Sequence, residues 1–196
     1  GQISSQDLKD KSIDIKIRLW RERRYLPQVA LGVRDLGGTG LFAGEYLVAS
    51  KRSGNFDWSL GLGWGYLGAR ADFSNPLYPH RPQEGSVSGG QTNIQSMFHG
   101  PIAIFGGVQW QSPLRPWLLK MELDGSNYKN EPAGRKDLGQ KLPLNFGAVY
   151  RYGRNTDISI GLERGNKIML GLTFHGNLSQ AGTVKPFDPP APVVST

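Results

Sequence analysis

His80, His99 and His175 are the only histidines in this 196-residue chain, which also has no cysteine, so nucleophilic or metal chemistry would have to be built around them. A hydrolytic site needs a hydroxyl nucleophile, a histidine and a carboxylate in one place, and the best approach to one is Thr173 beside His175. That pair makes a poor dyad; of the three histidines only His175 falls on the polar face of a predicted strand, where it reads as a satisfied histidine. No clustered histidines and no acidic calcium loop offer a metal site. Leu36-Gly37-Gly38-Thr39-Gly40 has the glycines of a phosphate cradle but lacks the lysine and helix that must follow, and reads as a strand-connecting turn. The chain is therefore read as having no catalytic residues, metal or cofactor, and as no enzyme.

What remains is reversible binding. Lys16, Arg18, Arg34, Asp57, Lys120, Glu122, Arg151 and Glu163, with His175, alternate with apolar residues along predicted strands. Such donors and acceptors suit the hydroxyls and uronates of a glycan; equally, they could line a barrel lumen as paired ions and leave no conduit. The excess of 23 Lys and Arg over 16 Asp and Glu, net +7, points to an acidic partner. The cations are scattered and only Arg21, Arg23 and Arg24 around Glu22 cluster, so a nucleic-acid stripe is excluded. That cluster reads as a solvated turn, with anionic lipid headgroups or a periplasmic partner as the alternatives. Tyr78, His80 and Arg81 in a long connection offer a second place for glycan binding, outside the cell.

The elements that would position these residues are strands. Phe56-Asp57-Trp58-Ser59-Leu60-Gly61-Leu62-Gly63-Trp64-Gly65-Tyr66 sets Phe56, Trp58, Leu60, Leu62, Trp64 and Tyr66 on one face against Asp, Ser and Gly on the other. Period two over a membrane thickness, with aromatics at both ends, is the pattern of a lipid-facing belt. The same alternation runs through Ile13 to Leu19, Val29 to Arg34, a less decided Glu45 to Lys51, Ile102 to Trp110, Trp117 to Asp124, Leu144 to Tyr152, Ile158 to Glu163 and Ile168 to His175. These add Trp110, Trp117, Phe146, Tyr150 and Phe174 to the expected belt. A mean hydropathy of -0.40 and the lack of any apolar run of about twenty residues exclude a helical membrane protein but not a barrel, whose strands alternate. With 27 glycines, about twice the usual share, the composition favours strands and turns.

The reading is all-β: an antiparallel transmembrane outer-membrane barrel with about nine strands visible. Tight connections at Ser53-Gly54-Asn55, at 111–115 and at Gly153-Arg154-Asn155 alternate with long ones at about 68–100 and 125–140, which places the long loops outside the cell. Carried back along the chain, the alternation requires an odd number of earlier strands, so the complete barrel would have about ten or twelve. Residues 1–176 form the expected barrel domain, with N-terminal strands missing. Residues 177–196, holding Pro186, Pro189, Pro190 and Pro192, form a proline-rich periplasmic linker towards a further domain.

Leu26-Pro27-Gln28-Val29-Ala30-Leu31-Gly32-Val33-Arg34-Asp35-Leu36-Gly37-Gly38-Thr39-Gly40-Leu41-Phe42, continuing through Glu45 to Arg52 and the strand from Phe56 to Gly65, resembles the YjbH-like exopolysaccharide biosynthesis family, which includes GfcD-type group 4 capsule proteins. The match is densest over residues 11–67 and extends more weakly to about Phe174. The resemblance implies a large lipoprotein of the bacterial outer membrane that supports exopolysaccharide or capsule assembly or export, with outer-membrane lipid, the polysaccharide and other secretion proteins as partners. Against a complete member of that family this sequence lacks the signal peptide, a lipidated cysteine and the later region, so it is expected to cover only part of such a protein. The competing readings are an outer-membrane lipid-modifying enzyme, which needs a serine and histidine meeting at the barrel wall, and a soluble β-sandwich that binds glycan.

Overall fold

The computed structural model describes residues 12–36, 42–82, 94–114, 116–129 and 139–176. The glycine run at 37–40, Arg115 and the proline-rich segment at 177–196 lie outside them. The strands are β1 (Ile13–Trp20), β2 (Gln28–Leu36), β3 (Gly44–Ser53), β4 (Phe56–Gly63), β5 (Ala103–Gln111), β6 (Trp117–Leu123), β7 (Leu144–Tyr152), β8 (Thr156–Glu163) and β9 (Lys167–Phe174). They form one nine-stranded sheet in chain order, every neighbouring pair antiparallel. Two short 3-10 turns, Gly65–Gly68 and Ile94–Ser96, lie in the connection between β4 and β5. Among the described residues no helix is long and apolar enough to cross a membrane.

The strand count and the all-antiparallel order agree with the alternation in the sequence; closure into a barrel does not appear. Within the described residues β1 pairs only with β2 and β9 only with β8, so the sheet has two free edges. The reason is geometric. In an antiparallel meander odd-numbered strands all run one way, so β1 and β9 point in the same direction and cannot form an antiparallel ladder with each other.

Register divides the side chains cleanly. One face carries the row Ile17, Leu31, Leu47, Leu62 and Ile104, and further along Phe56, Trp110, Leu119, Ala148, Ile160 and Leu170. The opposite face carries Asp57, Gln109, Lys120, Gly147, Gly161 and Met169 in one row. Little covers the apolar face: Leu60 is 55% exposed and Leu170 80%, while among the described residues the buried apolar ones are only Val29, Ala30, Val48 and Ala103. A soluble sheet buries such a face against a second layer, because each buried square ångström of apolar surface contributes about 25 cal/mol. Here the chain supplies no second layer among its described residues.

Two turns show how the sequence closes its hairpins. Ser53 opposes Phe56, leaving Gly54 and Asn55 as the whole loop, and Gly54 takes a φ of 58°, which glycine adopts without a Cβ clash. Between β8 and β9, Arg164 (φ 53°) and Gly165 (φ 68°) turn the chain left-handed in succession. The two longest connections, 64–102 and 124–143, leave the same end of the sheet, as their spacing predicts, although the short β8–β9 turn shares that end.

One expected strand is shortened. β4 stops at Gly63 rather than running to Tyr66, because the chain then curls into the 3-10 turn Gly65–Gly68, with Gly65 at φ 61°. That turn lies against the polar face: a Cβ on Gly63 would stand 2.7 Å from the Leu67 carbonyl oxygen, so glycine there permits the close approach. Trp64 instead stacks edge-on against Phe98, and Tyr66 against Phe42.

The long-loop end is fastened by a polar cluster around Arg70. Arg70 donates to both Asp72 oxygens at 2.7 and 2.5 Å and to the carbonyl oxygens of Asp124 and Ile104, while Asp72 accepts from the Ile104 amide at 2.8 Å. The Arg70 hydrogen bonds hold the Asp72 carboxyl below its ordinary value of 3.8. A depressed carboxylate contributes its stabilisation above the unfolded value and loses it as pH falls through the folded one. Acidification below about pH 4 is therefore expected to release the 69–73 segment, read as faster amide exchange at Arg70 and Ile104; unchanged protection at pH 3 would remove Asp72 as the fastening group.

Candidate functional site: the polar face of the sheet

The polar face is built by the alternation that leaves the apolar residues on the other side. Lys16 and Arg18 oppose Gly32 and Ala30, Arg34 opposes Gly44, and Asp57 leads through Gln109 to Lys120. Glu122 opposes Gly107, Arg151 opposes Asp157, and Glu163 closes the row at Lys167. All eight charged strand residues singled out in the sequence thus share one face. His175 lies just past β9 and joins them by its Nε2 contact with Asp157 at 3.0 Å.

They divide into two groups. Asp14 and Arg34 stand 3.9 Å apart, Arg52 and Asp57 4.0 Å, and Asp157 is held by both Arg151 at 3.2 Å and His175. These charges are paired with one another along the polar face. Lys16, Arg18, Lys120, Glu122 and Glu163 have no ion-pair partner among the described residues. Lys120 and Glu122 sit between two concavities. One of about 380 Å³ is lined by Ser50, Arg52, Asp57, Ser59, Gly107 and Gln109, and one of about 300 Å³ by Asn145, Gly147, Ser159, Gly161, Glu163 and Gly171. Unpaired donors and acceptors standing among glycines and hydroxyls can take up a polyhydroxylated ligand.

Towards the long-loop end the polar face becomes aromatic, a feature the alternation did not reveal. Tyr46 and Phe105 meet edge to face with ring centroids 6.1 Å apart, and Leu67 of the 3-10 turn helps line the adjoining hollow with Asp14, Lys16 and Arg34. The rings lie over glycines on neighbouring strands. A Cβ on Gly32 would meet Tyr46 at 2.2 Å, and one on Gly61 would meet Phe105 at 2.4 Å. The available signal was a glycine one strand away from an aromatic residue, the pairing in which a ring covers a bare backbone. Gly32→Ala, whose Cβ would meet the Tyr46 side chain, is expected to destabilise the sheet by about 1–3 kcal/mol through overpacking, with Tyr46→Leu restoring most of it in a denaturation series. No recovery in the double variant would show that the ring is not what occupies the space.

The residues expected to form the belt lie on the apolar face of the sheet with two exceptions. Phe56, Trp58, Leu60 and Leu62 share that face with Trp110, Trp117, Phe146, Tyr150 and Phe174. Phe56 lies near Trp110 and Trp117 packs on Tyr150 at a centroid distance of 4.9 Å. Trp64 and Tyr66 leave the strand and pack within the rim. Apart from Phe146, which lies in the long-loop half of β7, the strand aromatics of the apolar face therefore gather at the tight-turn end, joined there by Trp20 and Tyr152, rather than at both ends. Of the trio in the long β4–β5 connection, Arg81 is engaged by Glu45 at 2.9 Å, His80 is exposed, and the exposed Tyr78 lies against His99, ring centroids 4.3 Å apart.

Fold and site together define a class: an antiparallel all-β wall with one uncovered apolar face and one ionic, glycine-rich face. The chain belongs to the YjbH family, described as exopolysaccharide biosynthesis protein YbjH, whose family model matches residues 1–196. It is 49% identical over 184 residues to the protein named uncharacterized lipoprotein YjbH of Escherichia coli strain K12, covering 89% of this chain. The chain spans about a quarter (25%) of that relative's length. No solved structure matches.

Proposed function

We propose that this segment is part of the wall of a β-barrel in the bacterial outer membrane that supports exopolysaccharide or capsule assembly or export. It does so without covalent chemistry, by holding glycan on its polar face as a binding, scaffold or conduit component. The observation that carries the reading is the apolar face, which stays uncovered across nine strands while the opposite face holds unpaired charges. Lipid is the medium in which such a face needs no second protein layer. The family's printed description supplies the exopolysaccharide context, and the relative's name supplies the lipoprotein and hence an envelope location.

The free edges bear on closure. Because β1 and β9 run the same way, an odd number of further strands completes an all-antiparallel ring, which gives about ten or twelve in total. Two copies related by an axis along the barrel would bring β9 beside a parallel β1, so strands from elsewhere in the longer protein fit better than a second copy.

The test uses the full-length parent in vesicles whose acyl chains carry bromine. Quenching of tryptophan emission that falls when Trp58, Trp110 and Trp117 are all replaced by Phe supports a lipid-facing wall. Equal quenching in the variant, or a parent that stays in solution without detergent, favours the soluble sandwich. For the glycan, Lys120→Ala with Glu122→Ala is expected to lower surface polysaccharide by roughly tenfold, the scale of one or two lost charge-assisted hydrogen bonds, while protein level is unchanged. Undiminished polysaccharide would remove the polar face from the function.

A further inference from the structure

We propose that the β1–β2 turn, residues 21–26, is a docking site for the phosphate headgroups of anionic phospholipid, an inference that rests on the membrane reading above. The turn is Arg21-Glu22-Arg23-Arg24-Tyr25-Leu26, and it has a single carboxylate. That carboxylate is turned back onto the sheet: Glu22 lies 3.6 Å from the Lys51 ammonium and accepts the Arg52 amide at 3.2 Å. Arg21, Arg23 and Arg24 are exposed and have no ion-pair partner among the described residues. The turn thus presents three uncompensated guanidiniums, the group best shaped to take phosphate oxygens two at a time.

The turn is also held in place. Lys51 donates to the Arg23 carbonyl oxygen at 2.7 Å, the Arg23 amide to Leu26 at 2.9 Å, and the Trp20 indole to Pro27 at 3.0 Å. These bonds set the arginines one step beyond Trp20, which is 51% exposed at the same end of the sheet as Phe56, Trp110, Trp117 and Phe174. An aromatic belt marks the level where acyl chains give way to headgroups, so residues just past it meet phosphate. Tyr25, 81% exposed, lies beneath the Arg24 guanidinium at 5.3 Å, and Leu26 is 54% exposed. An amphipathic ring and an apolar side chain beside a basic cluster suit the lipid interface better than a soluble acidic partner. Two other tight turns at that end carry no such cluster: Gly54-Asn55 is uncharged, and Gly153-Arg154-Asn155 has one arginine.

The experiment reconstitutes the full-length parent into phosphatidylcholine vesicles, checks insertion by flotation, then extracts it in mild detergent with mixed phosphatidylglycerol and phosphatidylcholine and counts retained lipids by native mass spectrometry. Phosphatidylglycerol is expected to be retained over phosphatidylcholine on the order of tenfold, and R21Q/R23Q/R24Q, which floats equally well, is expected to lose that preference. A parent that floats but shows no preference, or a triple variant that keeps it, overturns this inference and leaves the membrane reading intact. A parent that does not float sinks the membrane reading, and this inference with it. Release of phosphatidylglycerol by a soluble polyuronate but not by inorganic phosphate would reassign the turn to acidic glycan and overturn the lipid assignment.

Discussion

Leu60→Arg in the full-length parent is expected to cost about 2–4 kcal/mol of folded stability in lipid, the penalty for a cationic side chain at the middle of a lipid-facing strand. Leu60 lies midway along β4, between Ala49 and Gly106 on the apolar face, and is 55% exposed. That exposure makes the test sharp. If water bathed the face, an arginine there would change stability by no more than about 0.5 kcal/mol, as surface substitutions do. If acyl chains bathe it, the parent should fail to assemble or should unfold at much lower denaturant in vesicles. Gln109→Arg, on the opposite face beside Asp57 and Lys120, is the control and should be tolerated. Equal, small effects of both substitutions would mean that neither face meets lipid.

The second large effect concerns the rim. Glu45 follows the apolar register of β3, yet it is 1% exposed and fully engaged. Arg81 donates to its two oxygens at 2.9 and 3.1 Å, and the Phe98 amide donates at 3.0 Å. This one carboxylate binds both arms of the long β4–β5 connection, one through Arg81 and the other through Phe98. Arg81→Met leaves the buried charge without its partner and is expected to destabilise the connection by about 3–5 kcal/mol, whereas Glu45→Gln with Arg81→Met together should recover much of that loss. Limited proteolysis within 66–102 is the readout. Cleavage should accelerate strongly in the single variant and much less in the double one. A single variant as resistant as the parent would show that Trp64 against Phe98, rather than the ion pair, holds the rim.

Arg81 also illustrates what a linear reading misses. In the chain it stands with Tyr78 and His80 in a long connection and looks free to meet a ligand. In the fold its guanidinium is spent on a carboxylate 36 positions earlier, a pairing no local pattern announces. Trp64 and Tyr66 mislead in the opposite way. Their alternation continues that of Phe56 to Leu62, but Gly65 adopts a left-handed φ and the chain leaves the strand, so period two outlasts the strand itself. Tyr46 and Phe105 were overlooked because they lie on the face read as polar, and what admits them is a glycine on the adjacent strand rather than anything next to them in sequence.

By itself the sequence determined the all-β class, the approximate strand boundaries and the assignment of the eight singled-out charged strand residues to one face. It could do so because side-chain direction in a strand reverses at every residue, so local spacing is enough to sort two faces. It also carried the family, through the residues from Leu26 to Gly65. Only the tertiary structure decided which charges are neutralised and which stand free, that most apolar-face aromatics collect at the tight-turn end, that Glu22 is drawn off its neighbouring arginines, and that the sheet keeps two edges. Those outcomes depend on register between strands and on contacts between residues tens of positions apart, which hydrogen-bond geometry sets only once the chain has folded.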